Sequence, residues 1–332
     1  MTTPQQPPAP PQNAPQVPPQ APAAAPAPAP AYAQQAPQTH QPQQPQHAQP
    51  SQQPGYWPGQ APSAGYVSHI PIRKATLTDA LAAEWTKIRS VRSTMWTLGV
   101  MVLLIVGIGF LTAAVVAGAG DGELNNSSPL SLGFFGVLLG IICVVTLGVL
   151  TISSEYGTGM IRTTLTACPS RGRVLAAKAV VFFLLAFVIT LVCTGLIAMV
   201  DSALLSDRTT FQPDADVWLR ATLGVSLYVA TLGLLGLAVG TLLRHSAGSI
   251  TVMLGVILLP MVLSLFMMGE ALSDVRKALI EYSIPMQLSA FYATGADRLA
   301  DGPTGWDPLW IMLGVAAVAL AGAYASLARR DA

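Results

Sequence analysis

SEYGTGMIRTTLTACPSRGRVLAAK, Ser154 to Lys178, is a polar and basic interruption between two long apolar runs. Its reading decides how the rest of the chain is laid out. Helical spacing from Glu155 to Thr166 puts Glu155, Gly159, Arg162 and Thr166 on one face and Ile161 and Leu165 on another, which predicts one short amphipathic helix. Pro169 ends that helix, because the residue before a proline is pushed out of the helical region and the proline itself donates no hydrogen bond. A basic connector, Arg171, Arg173 and Lys178, then leads into the next apolar run. Two readings stand at this point: a loop whose positive charge only sets topology, and a surface through which another protein drives this one.

Working outward, six apolar runs account for most of the chain: about 95–117, 131–153, 179–200, 221–243, 247–268 and 308–327. Each is close to the ~20 residues that a bilayer-spanning helix needs. None of these runs contains Asp, Glu, Lys, Arg or His. With 52% hydrophobic and 10% charged residues, the composition is that of a multi-span membrane protein rather than a soluble domain. The fold class expected is therefore an all-α integral membrane protein with six transmembrane helices, placed at about 94–332. Glycine pairs Gly136 with Gly140 and Gly236 with Gly240 give GxxxG spacing, which permits close helix contact within or between subunits.

Ahead of the first run lies a segment of different character, 73–93. Leu77, Leu81, Trp85 and Ile88 recur at helical spacing, Thr76 with Asp79 resembles a capping box, and Trp85 suits headgroup depth. This reads as an amphipathic interfacial helix. Residues 1–72 carry no Asp, Glu, Lys or Arg and are built from Pro, Gln and Ala. Such a tract cannot bury a core and is expected to be a disordered cytoplasmic tail with polyproline II bias, without the features of a secretory signal or presequence. A docking segment for a proline-recognising partner is the alternative use of it.

Orientation follows from the 17 basic residues. Twelve fall before the first run, in the central loop, at Arg244 and at the C-terminus, while most acidic residues fall on the other side. Both termini and the central loop are therefore expected to be cytoplasmic. The stretch from Gly269 to Asp307 is expected to hold two short helices on or dipping into the outer face, broken at Pro285 ahead of Phe291 and Tyr292.

Several chemistries lack their residues. None of the four lysines follows a glycine, so the chain does not bind ATP through a P-loop. HExxH and GxSxG motifs are missing, and Cys143, Cys168 and Cys193 have no metal-ligand spacing. No enzyme activity, cofactor, metal or nucleic-acid partner is expected. Runs without ionisable groups also disfavour a gradient-driven pump.

Three motifs carry a resemblance: AAEWTKIRSVRSTMWTL entering the first run, the opening stretch, and GTLLRHSAGSI with Arg244 and His245 between the fourth and fifth. Together they resemble permease subunits of ABC-2 type ATP-binding-cassette transporters, particularly the actinobacterial branch. The middle motif matches the family's pattern at Glu155, Gly159, Arg162, Leu165, Pro169, Arg171, Ala177 and Lys178. The resemblance implies a six-span subunit paired with a second permease subunit, as a homo- or heterodimer, in the plasma membrane. It also implies two copies of a separate ATPase, which docks on the central loop as a coupling helix, and a connecting helix before the first span. The expectation is thus an exporter of an apolar or amphipathic substrate. A non-transporting anchor that recruits partners through its Pro/Gln-rich tail is the alternative.

Overall fold

The computed structural model describes residues 75–119, 128–168, 170–207, 209, 212–294 and 302–329. The chain divides into two units, Met1–His69 and Ile70–Ala332, and all described residues belong to the second. The tail expected over 1–72 and the proline at 169 lie outside the described residues.

Helix α1 (Leu77–Ser90) opens on the capping box read from the sequence, with the Asp79 amide donating to Thr76 Oγ1 and the Thr76 amide donating to Asp79 Oδ2. Only Val91, in an extended conformation, separates it from α2 (Arg92–Gly118). A 3-10 turn at Pro129–Gly133 leads into α3 (Phe134–Thr158), and a short helix α4 (Met160–Ala167) follows. Next come α5 (Arg171–Leu205), α6 (Ala215–Leu219) continuing through a π turn at Arg220–Gly224 into α7 (Val225–Leu243), and α8 (Ser246–Phe266). Two short helices, α9 (Ser273–Glu281) and α10 (Ile284–Ser289), precede α11 (Asp307–Arg329). Among the described residues six helical segments are long and apolar enough to cross a membrane, and each overlaps one of the six apolar runs.

The bundle is built around α7. Its span is 78% buried within the molecule against 22% for those of α2, α8 and α11, and it packs on α3, α11 and α5. Glycines make that packing possible. A Cβ on Gly240 would sit 2.9 Å from the Val149 carbonyl oxygen, and one on Gly136 would sit 2.5 Å from that of Ile105. Both GxxxG pairs are therefore spent inside the subunit: Gly136 and Gly140 receive α2, and Gly236 and Gly240 receive α3.

Three expectations need correction. The helix expected over Glu155–Thr166 is two helices, because Gly159 adopts φ +72°, a left-handed conformation that ends α3 and starts α4. Glu155 therefore belongs to the last turn of span two and does not share a face with Arg162. Spans two and three also outrun their apolar runs and take in Glu155, Lys178 and Asp201, since backbone hydrogen bonding does not stop where hydropathy falls. Pro285, finally, is no breaker. It sits in the first turn of α10, where its missing N–H costs nothing, and Ser283 caps that helix. Past α10 the chain turns inward and buries Phe291 against Tyr228 at a ring separation of 5.5 Å, while Tyr292 packs edge-on to Phe134.

Candidate coupling site

At the end of the bundle that carries α1 and α4, four charges from three separated stretches meet. Lys178 on α5 is 1% exposed and places its Nζ 2.8 Å from Glu84 Oε2 and 2.5 Å from Glu155 Oε1. Lys87 on α1 reaches the same two acids, at 3.0 Å to Glu84 Oε1 and 2.6 Å to Glu155 Oε1. Two ammoniums and two carboxylates close a neutral quartet, the condition under which buried charge is tolerated. Burial alone pulls the Lys87 ammonium below its ordinary range, but the hydrogen bond it donates to Glu155 and the charges of Glu84 and Glu155 outweigh it and hold Lys87 above that range. The quartet fixes α1 to α3 and α5. Its presence also explains the setting of α1: the face on the bundle is centred on buried Glu84, flanked by half-buried Leu81 and Ile88, while Leu77 and Trp85 are exposed.

Beyond the Gly159 joint, α4 presents its two faces differently. Ile161 is 3% exposed and enters the core, Leu165 packs beside it, and Arg162, Thr163 and Thr166 face outward. Arg162 has no ion pair among the described residues, and Glu155, its expected facial neighbour, is occupied by the two lysines. The two arginines of the connector act on the fold rather than only on topology. Arg171 donates to the Leu327 carbonyl at 2.7 Å, tying α5 to the end of α11, and Arg173 donates to the Ala75 carbonyl at the start of α1.

The second loop closes on the same end. Arg244 ends α7 with φ 54° and places its guanidinium 5.0 Å from the centre of the Tyr156 ring, in the last turn of α3. His245 caps α8, its Nδ1 accepting from the Gly248 amide at 3.0 Å. The structure thus brings together Glu155, Gly159, Arg162, Leu165, Arg171 and Arg244 at one end, with α1 beside them. Glu84, Lys87 and Lys178 are the residues that hold this end together and that spacing alone did not single out.

A family model described as ABC-2 family transporter protein matches residues 80–261, more than half of the chain. The chain belongs to the ABC-2 family of transporter proteins. A search of curated proteins found no match. As an ABC-2 family member with six apolar helices, it is a multi-pass membrane protein and a transporter membrane subunit, of a family that associates with an ATP-binding subunit. The match begins within α1 and ends within α8, so all four quartet residues, α4 and the Arg244–His245 turn of this ABC-2 chain fall inside it.

Proposed function

We propose that the chain is the permease subunit of an ATP-binding-cassette exporter in the plasma membrane, with both termini cytoplasmic, that moves an apolar or amphipathic substrate outward. It pairs with a second permease subunit, and two copies of a separate ATPase drive the pair. The observation that carries this reading is the contrast between α4 and the quartet. Outward-facing Arg162 stands on a short helix whose apolar side is seated in the core, next to ion pairs that join α1, α3 and α5. A push received on α4 is passed through the Gly159 joint and the α5 connector to three elements that move as one. On this reading α4 is the coupling helix, α1 the connecting helix, and Arg162 the side chain that meets a carboxylate or carbonyl of the ATPase.

The 12-to-5 division of the basic residues supports the proposed orientation. The proposed segments are 1–72 as tail, 73–93 as connecting helix and 94–332 as permease. Purifying the full chain from its own membranes tests the reading. A P-loop protein that co-purifies in near-equal amount, and whose ATP hydrolysis changes when the permease is stripped away, is the expected result. Recovery of the permease without any such protein, under conditions that preserve its fold, counts against it.

A further inference from the structure

We propose that the niche at the α1–α2 junction holds the head group of a net-anionic phospholipid, with the acyl chain along the exposed face of α2. The niche has a volume of about 250 Å³ and is lined by Arg89 and Ser90 from the end of α1 and by Arg92, Met95 and Trp96 from the start of α2. Both arginines are exposed, and neither has an ion pair or hydrogen bond among the described residues. No Asp or Glu occurs between Glu84 and Asp121, and Glu84 is already held by Lys87 and Lys178. Two guanidiniums, one on each side of the extended Val91, therefore face a niche whose lining has no acid.

The lining selects the charge of the head. Each guanidinium offers its N–H donors in a planar fork that fits phosphate oxygens, and the Trp96 indole adds a further donor. The Ser90 hydroxyl gives its proton to the Lys87 carbonyl at 3.0 Å, so it and the weakly accepting Met95 sulfur are the only acceptors among the lining side chains. A phosphodiester satisfies such a set. The ammonium of a zwitterionic head finds no carboxylate there and meets two like charges.

The surface next to the niche selects a lipid over a soluble anion or an acidic protein. Arg92 stands one turn before Trp96, and from Trp96, 76% exposed, an apolar stripe runs along the same face of α2 through Val100, Leu103 and Phe110, all exposed. Gly107 leaves a dip in that stripe, with nothing within 4 Å of where its Cβ would stand. The 14 residues from Trp96 to Phe110, at ~1.5 Å each, cover roughly 21 Å, more than the half of a ~30 Å hydrocarbon core that one leaflet fills. A charged niche continuous with such a stripe matches a head and its chain, and the Trp96 ring lies where the two meet, at the depth that indoles favour. Bound there, the lipid bridges the last turn of α1 and the first turn of α2. The proposal rests on the export reading only for the leaflet, the cytoplasmic one; the niche alone chooses the head group.

The test uses the full-length chain in phosphatidylcholine nanodiscs doped with a photoreactive phosphatidylglycerol that carries a diazirine in its acyl chain, and maps labelled peptides by mass spectrometry. Label is expected to concentrate on the peptide covering 92–110. Unlabelled phosphatidylglycerol should displace it at about tenfold lower mole fraction than phosphatidylethanolamine, which has the same phosphate with an ammonium, and glycerol phosphate in solution should leave it in place. Arg89→Gln with Arg92→Gln is expected to cut this labelling by about tenfold with the unfolding temperature retained, whereas Arg276→Gln with Arg329→Gln, the same loss of charge at other exposed positions, should leave it unchanged. Label spread alike over the exposed faces of α2, α8 and α11, or displaced equally by phosphatidylethanolamine or glycerol phosphate, overturns the proposal. Unchanged labelling in the Arg89 and Arg92 double variant overturns it too, and loss of ATPase binding in that variant would then give the two arginines to an acidic protein surface. A labelled niche in a permease with no ATPase partner sinks the export reading alone. An ATPase-coupled permease with no preference for phosphatidylglycerol sinks the niche alone.

Discussion

Lys178 holds its ammonium between Glu84 and Glu155, with no water-accessible face of its own. Removing it leaves two buried carboxylates with Lys87 as their only cation among the described residues, and breaking a buried pair in this way costs about 3–5 kcal/mol. Lys178→Ala is therefore expected to lower the unfolding temperature of the purified protein sharply, and a neutral outcome would mean that the quartet does not hold the bundle. Asp201 is the opposite case. It is fully buried in the last turns of α5, and neither carboxylate oxygen has a hydrogen-bond partner among the described residues. Burial first, and the Asp201 charge second, raise the Tyr292 phenol above its ordinary range. Because no ion pair is lost, Asp201→Asn is expected to leave thermal stability unchanged or raise it. Destabilisation by more than about 2 kcal/mol would show that the charge has a partner in the working protein.

Among the elements, α7 depends on small residues to approach α3. Gly240→Leu forces a side chain onto the Val149 carbonyl and is expected to cost about 1–3 kcal/mol, whereas Gly255→Leu on α8, where a Cβ meets open space, should be nearly silent. Equal effects in a thermal-unfolding comparison would remove the close approach from the account. The spans themselves are legible in the sequence, since ~20 uncharged apolar residues in a row have few alternatives. Their ends are not. The apolar run stops at Val200 because Asp201 is polar, yet the helix continues to Leu205 because its hydrogen bonds are indifferent to that charge. Likewise the spacing of Glu155, Gly159, Arg162 and Thr166 fits one helix, and only the positive φ of Gly159 divides it. The quartet was hidden for another reason: its charges come from three stretches far apart in sequence, Glu84 with Lys87, Glu155 and Lys178, and helical periodicity carries no information about partners on other helices. The available signal was that Glu155 and Lys178 sit at the facing ends of the second and third apolar runs, just past 153 and just before 179.

For the whole molecule, four of the six spans are less than half buried, with Trp96, Phe266, Trp310 and Val318 among the most exposed side chains. That surface suits lipid and a second permease subunit, and it leaves the end with α1 and α4 as the charged surface on which an ATPase can act. Orientation is checked by a reporter fused after Arg330, expected to be active on the cytoplasmic side alone; activity outside would place α4 beyond the reach of ATP. The most direct test of the coupling claim is the affinity of the Arg162→Ala permease for its ATPase, measured beside Arg276→Ala, an arginine on α9 that is exposed as well. Loss of a charged partner buried at an interface costs roughly 2–5 kcal/mol, so Arg162→Ala should bind about thirtyfold or more weakly at unchanged membrane level, with Arg276→Ala at wild-type affinity. Wild-type affinity and export in Arg162→Ala would contradict the role assigned to α4.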